Sequence, residues 1–155
     1  MLIGTATLAA VGLTGVACGK PAPPPELAEL TNQLEMARSD SRLASDAADA
    51  AKPPQRAALA AVSSERSKHA EALTNEIARL TGELATSTSA TTTTSAAPAA
   101  APTAKDVSEA LKTSAESAAT LAAQMSGYRA GLLGSIAASC TAAYTVALAS
   151  PGGAR

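Results

Sequence analysis

Phenylalanine and tryptophan are absent from this 155-residue chain, and Tyr128 and Tyr144 are its only aromatic residues. A core built without them has to come from Leu, Ile, Val, Met and Ala, and alanine dominates the composition. Alanine loses no side-chain entropy in a helix and leucine little, whereas the β-branched and aromatic residues that favour strands are scarce. The chain therefore reads as all-α. The same shortage removes the stacking platforms that single-stranded nucleic acid needs. A formal net charge of -1 offers no basic face to phosphates, so no nucleic-acid partner is expected.

Histidine is almost missing too, since His69 is the only one. With Glu65 at i-4 and Glu76 at i+7, it can present a carboxylate and an imidazole on one helical face. Di-iron helical bundles use two Glu-x-x-His pairs and further inward carboxylates, and this chain has no Glu-x-x-His. Beyond residue 103 the only acids are Asp106, Glu109 and Glu116. His69 and Glu65 are thus weak metal candidates beside the simpler reading of a histidine at the solvated edge of a helical seam, and no metal or cofactor is expected. There is no CxxC pair and no Gly-rich phosphate loop, and one histidine among many serines makes no nucleophile, base and acid triad. Nothing reads as catalytic, so the chain is not expected to be an enzyme.

Charge is missing from one region altogether. All 12 basic and 13 acidic residues lie beyond Cys18. Residues 2 to 17, LIGTATLAAVGLTGVA, have the length of a signal-peptide hydrophobic region and fall somewhat short of a bilayer span. The run closes on Gly15-Val16-Ala17-Cys18, which resembles the lipobox of bacterial lipoproteins, where the cysteine receives a diacylglycerol thioether and the peptide before it is removed. Gly15 stands where lipoboxes usually carry Leu, Val or Ile, and the run opens without Lys or Arg. Residues 1–17 are therefore read as a signal peptide cut between Ala17 and Cys18. Residues 18–25 become a lipid-bearing Cys18 and a stiff proline-rich tether. Plain secretion after Ala17 and an uncleaved anchor are the competing readings, and each exports the chain. The expected location is the outer face of the cell membrane, with the membrane itself as partner through the lipid.

Beyond the tether, Leu27, Leu30, Leu34, Ala37, Ser41, Ala44, Ala48 and Ala51 step by threes and fours, a helical seam. A second seam holds Leu59, Val62, Ala70, Leu73, Ile77, Leu80 and Leu84. Lys52-Pro53-Pro54 separates the two, and so short a connection implies an antiparallel hairpin over 26–85. Residues 86–103, rich in Thr, Ser, Ala and Pro, have no period and read as a low-complexity linker open to O-glycans.

Thr103-Ala104-Lys105-Asp106 has the form of a capping box. The seam Val107, Leu111, Ser114, Ala118, Leu121 and Met125 follows, so 104–150 forms either a second hairpin, turning at Ser126-Gly127, or one long helix. From Ala130 to Ala154 there is no charge, and a helix apolar on every side is expected to be buried in a bundle or in a membrane. Gly127, Gly131 and Ser135 form a small-residue row suited to close helix packing, within the bundle, with a protein partner, or in a homo-oligomer. Cys140 shares a register with Leu133, Ile136, Ala143 and Ala147 and reads as a small buried hydrophobe. The whole is expected to be one antiparallel four-helix bundle over 26–150.

Two stretches are more specific than composition: ERSKHAEALTNEIARLTG at 65–82 and SGYRAGLLGSIAASCTA at 126–142. With the alanine-rich, exported start, they resemble a group of actinobacterial, especially mycobacterial, lipoproteins of unknown function whose helical part is similar to ferritin-like domains. The resemblance implies a four-helix bundle of ferritin-like topology in the cell envelope. It implies no activity, because the iron ligands of ferritin-like oxidases have no counterparts here.

Overall fold

The computed structural model describes residues 24–82 and 100–149. The readings on residues 1–17 and Cys18, and most of the linker reading, fall outside the described residues. Helix α1 covers Glu26–Ala50, α2 Gln55–Thr81, α3 Ala104–Ala122 and α4 Gly127–Ala142, and α4 runs on into a π-helical turn over Ala143–Ala147. No strand is present among the described residues.

Local chemistry explains the helix ends. Helix α1 opens directly after Pro25 with Glu26 and Glu29 in its first turn, where the helix dipole favours anions. It ends at an extended Ala51, because Lys52 precedes a proline and is pushed away from helical angles. Helix α2 stops at Gly82, whose φ of 69° lies in the left-handed region that glycine occupies without strain. Helix α3 has a complete capping box: Thr103 Oγ1 accepts from the Asp106 backbone N–H, and Asp106 Oδ2 accepts from the Thr103 N–H at 2.7 Å. Between α3 and α4 the chain leaves helical form over residues 123–126, and Gly127 takes φ +57°. Helices α3 and α4 are therefore separate.

All four helices contribute to one core. Its largest fully buried apolar side chains are Leu30, Leu59, Leu73, Val107, Leu111, Leu133 and Ile136, with alanines such as Ala37, Ala44 and Ala118 between them. Small side chains at the contacts let the helices approach closely. A ladder of hydroxyls ties α1 to α2: Ser41 Oγ donates to the Ser63 carbonyl at 2.9 Å, Ser63 Oγ returns a bond to the Ser41 carbonyl at 2.9 Å, and Ser67 Oγ lies 2.8 Å from Ser41 Oγ. Gln33 Nε2 joins α1 to α3 by donating to Ser117 Oγ at 2.7 Å.

Helix α4 departs from expectation in two ways. It is buried along one stripe only, through Leu133, Ile136, Ala137 and Cys140, while Val146 is 75% exposed. The outward face carries no charge beyond Arg129, and hydroxyls on the helix and its π-helical turn bond back to the chain's own carbonyls: Ser135 to Leu132, Thr141 to Ala137, and Thr145 to Thr141. The π-helical turn adds a residue to its turn and moves the inward position from Ala147, which is exposed, to the buried Leu148.

The row Gly127, Gly131 and Ser135 needs the second correction. All three are exposed, and a Cβ built on Gly131 meets nothing within 4 Å. Packing within the bundle does not use them, because the inward stripe of α4 lies on its other side. Gly131→Ala is expected to raise stability by about 0.5–1 kcal/mol through backbone entropy, and Gly131→Leu to leave the bundle intact. Urea unfolding of both variants checks this, and a marked loss in either would restore the row to an interior contact.

Candidate functional site

Among the described residues Arg66 is the largest fully buried side chain, 2% exposed in the middle of α2. Its Nη2 lies 2.9 Å from Asp40 Oδ2 on α1 and 3.3 Å from Ser114 Oγ on α3. Ser114 Oγ donates to the same Asp40 oxygen at 2.6 Å, which closes a triangle across three helices. On the other side, Nη1 donates to His69 Nδ1 at 3.2 Å and to Cys140 Sγ on α4 at 3.3 Å. One guanidinium thus bonds to all four helices. A charge so deep is tolerated only because an opposite charge and further acceptors surround it.

The arrangement fixes the state of its neighbours. Arginine offers only donors, so His69 Nδ1 must be the acceptor and the ring proton sits on Nε2, which faces Glu65 Oε1 at 3.5 Å. Burial, and then the charge of Arg66, holds the His69 pKa below its ordinary value against the opposing pull of Glu65, with Lys68 lowering it further. Burial also pushes the Cys140 thiol up, although Arg66 pulls the other way. Cys140 is therefore a neutral thiol and a poor nucleophile.

A pH dependence follows from His69. Above about pH 6.5 the ring is neutral in both the folded and unfolded chains, and its arrangement is fully compatible with the fold. Below that, the unfolded chain takes up the proton while the folded chain resists, so stability falls until the pH reaches the lowered folded pKa. The unfolding free energy is expected to decline as the pH falls below about 6.5 in the native protein, and more weakly in His69→Gln. Parallel profiles would remove His69 from the account.

A second polar group lies at the end of the bundle where α1 and α4 begin. Glu76 is 1% exposed; its Oε2 accepts from Arg79 Nε at 2.9 Å and pairs with Nη2 at 2.6 Å. Arg129 Nε lies 3.2 Å from the other oxygen, off the line of an N–H bond, so that oxygen has a charge partner without an aligned donor. Arg129 also pairs with Glu26 at 3.2 Å, and the Arg79 guanidinium sits 4.9 Å from the centre of the Tyr128 ring. These contacts bind the first turn of α4 to α1 and α2.

The structure therefore separates residues that the sequence placed together. Glu65 stays beside His69 at the surface edge of the Arg66 cluster, while Glu76 belongs to the other network. His69 is 9% exposed, so it is a buried member of a charged cluster instead of a solvated edge residue. Its Nδ1 faces a cation, which suits a metal ligand badly, and among the described residues no three His, Cys, Asp or Glu side chains are grouped to hold a metal ion. The sequence reading missed Asp40 and Arg66. The signal was present, because Asp40 lies three residues after Ala37 and four before Ala44, and Arg66 lies four after Val62 and four before Ala70. Opposite charges on the apolar faces of two neighbouring helices are the pattern of a buried pair.

With the fold and these clusters described, comparison adds no identity: no protein-family model, curated protein or solved structure matches the chain.

Proposed function

We propose that the chain is an exported, lipid-anchored helical bundle of the cell envelope, acting as a structural or interaction module and not as an enzyme. The observation that carries this reading is the junction at Cys18, where an uncharged run closes on Gly15-Val16-Ala17-Cys18 and a proline-rich tether leads straight into α1 at Glu26. Two acyl chains on one cysteine hold a protein durably at a membrane, whereas one does so only weakly. The internal chemistry supports a scaffold role. The buried charges are all engaged, Arg66 with Asp40 and Glu76 with Arg79 and Arg129, and these pairs tie neighbouring helices together, one way in which a polar core specifies one arrangement among several.

The order of contacts is read here as an antiparallel bundle of ferritin-like direction. Along α1, Gln33 and then Asp40 meet Ser117 and then Ser114 of α3; along α2, Arg66 and then Glu76 meet Cys140 and then Arg129 of α4. Such a bundle fits the actinobacterial lipoproteins that the sequence resembles. One observation favours a second reading, a membrane-embedded α4 serving self-association. The helical run Gly127–Ala147 has a mean hydropathy of 1.4 and is long and apolar enough to cross a bilayer.

Intact-mass analysis of the native protein tests the first reading. The expected product starts at Cys18 and carries the mass of a diacylglycerol thioether. Alkaline carbonate extraction of Cys18→Ala separates the two readings. Release into the soluble fraction supports the lipid anchor, and retention in the membrane supports an embedded α4. A cytosolic chain with residues 1–17 in place and a free Cys18 thiol would overturn both.

A further inference from the structure

A groove open to solvent runs between α2 and the second half of α4, bordered by Val62 and Glu65 on one side and by Ser139, Cys140 and Ala143 on the other. Hydroxyl and amide bonds tie α1 to α2 through Ser41 and Ser63, and α1 to α3 through Gln33 with Ser117 and Asp40 with Ser114. The seam between α2 and α4 is held differently. Among the described residues its polar contacts are made by arginines: Arg129 with Glu76 and Arg79 over Tyr128 at the start of α4, and Arg66 Nη1 with Cys140 Sγ at 3.3 Å in its second half.

The two ends of the Arg66 guanidinium serve different helices. Nη2 bonds to Asp40 of α1 and Ser114 of α3, whereas Nη1 bonds to His69 Nδ1 and to Cys140 of α4. The contact with His69 needs a lone pair on Nδ1, and a protonated imidazole has none, because both its ring nitrogens are donors. An imidazolium would set an N–H against the Nη1 hydrogens and a second positive charge beside the guanidinium. The charged and titratable groups around the ring are Glu65, Arg66 and Lys68 on its own helix, Asp40 on α1 and Cys140 on α4, while Ser114 of α3 is neutral. Asp40 is already engaged by Arg66 and Ser114, and the thiol is neutral. The half-buried Glu65, 3.5 Å from His69 Nε2, offers a negative charge at the rim of the groove, on the side toward water.

We propose that protonation of His69 parts α2 from the second half of α4: the ring turns toward Glu65, Nη1 releases Cys140, and the seam opens about the clasped Arg129 end while Nη2 keeps α1 and α3 joined. The device is an acid-sensitive conformational switch, independent of the lipid at Cys18. It uncovers part of the inward stripe of α4, Ile136, Ala137 and Cys140. The sign follows from burial. The closed seam resists the proton, whereas an opened ring takes it up at its ordinary pKa of about 6.5, so acid favours the open form.

The experiment uses the full chain carrying Cys18→Ala, in which Cys140 is the only thiol, and measures the rate of its modification by dithiodipyridine at about pH 7.5 and about pH 5, on either side of the ordinary histidine pKa. Each rate is taken relative to the same chain unfolded in urea at that pH, which removes the thiol's own chemistry. Relative reactivity is expected to be about threefold to about thirtyfold higher in acid, the upper figure being the ceiling that one histidine of ordinary pKa sets. Hydrogen exchange in α1 and α2, corrected in the same way, is expected to stay unchanged. His69→Gln and, separately, His69→Asn keep an acceptor for Nη1 that takes up no proton, so each is expected to lose the response while Cys140 stays protected. Two variants are used so that failure of one to fold leaves the other decisive. Equal relative reactivity at the two pH values would overturn the proposal. So would a response retained in a folded variant, or one matched by an equal loss of amide protection in α1 and α2, which would make the opening global.

Discussion

Replacing Asp40 with alanine is expected to lower the unfolding free energy by about 3–5 kcal/mol, the usual effect of leaving one buried charge without its partner. Asp40 is 6% exposed and Arg66 2% exposed, so neither can turn to water when the other is lost. After the substitution the guanidinium would face Ser114, neutral His69 and a neutral thiol, with the nearest carboxylate, Glu65, on the far side of the His69 ring. Typical domains are stable by about 5–15 kcal/mol, and a bundle without large aromatics has little reserve. Urea unfolding followed by circular dichroism measures the effect. The double variant Asp40→Leu with Arg66→Met is expected to recover most of the loss, because an apolar pair of similar volume commonly substitutes for a buried ion pair at no net cost. A loss below about 1 kcal/mol in Asp40→Ala, the level of an exposed pair, would show that the cluster is open to solvent.

Leu133→Ala carries the second large effect, about 2–5 kcal/mol from lost burial and the cavity left behind. Leu133 is completely buried, and only Ile136 and Cys140 join it among the nearly inaccessible side chains of α4. Removing it takes away much of what holds this helix, and the pairing of Arg129 with Glu26 and Glu76 then has to hold the first turn alone. Hydrogen exchange should show the amides of α4 opening before those of α1 and α2, since regions with few apolar contacts unfold first. Gly131, two residues away and facing out, provides the control. Similar behaviour of Leu133→Ala and Gly131→Ala would mean that α4 does not dock through the stripe described.

The uncharged outer face of α4 connects these predictions to function. It is covered by alanine, glycine and hydroxyl side chains that satisfy their own helix, so it tolerates water without strongly preferring it. That is why the helix can be long and apolar enough for a membrane and still lie half open on a bundle.

The sequence by itself determined the helical character of this protein and much of where its helices begin and end. Propensity, the Thr103–Asp106 capping box and the prolines before Glu26 and at 53–54 all act within a few residues of chain, whereas the end of α2 at Thr81, before the left-handed Gly82, falls short of the seam read through Leu84. The inward positions of α3 were legible for the same reason, as its seam steps regularly through Val107, Leu111, Ser114, Ala118 and Leu121. Only the tertiary structure decided which side of α4 faces in and that Asp40, Arg66, Ser114, His69 and Cys140 meet. Beyond Arg129 in its first turn, α4 carries no charge to mark its outside, so Gly131 and Leu133 look equally suited to packing until neighbouring helices select one stripe. The extra residue of the π-helical turn then moves the last inward position to Leu148. Charge pairing between helices depends on their rotation and relative height, quantities set by the whole core and not by any local run of residues.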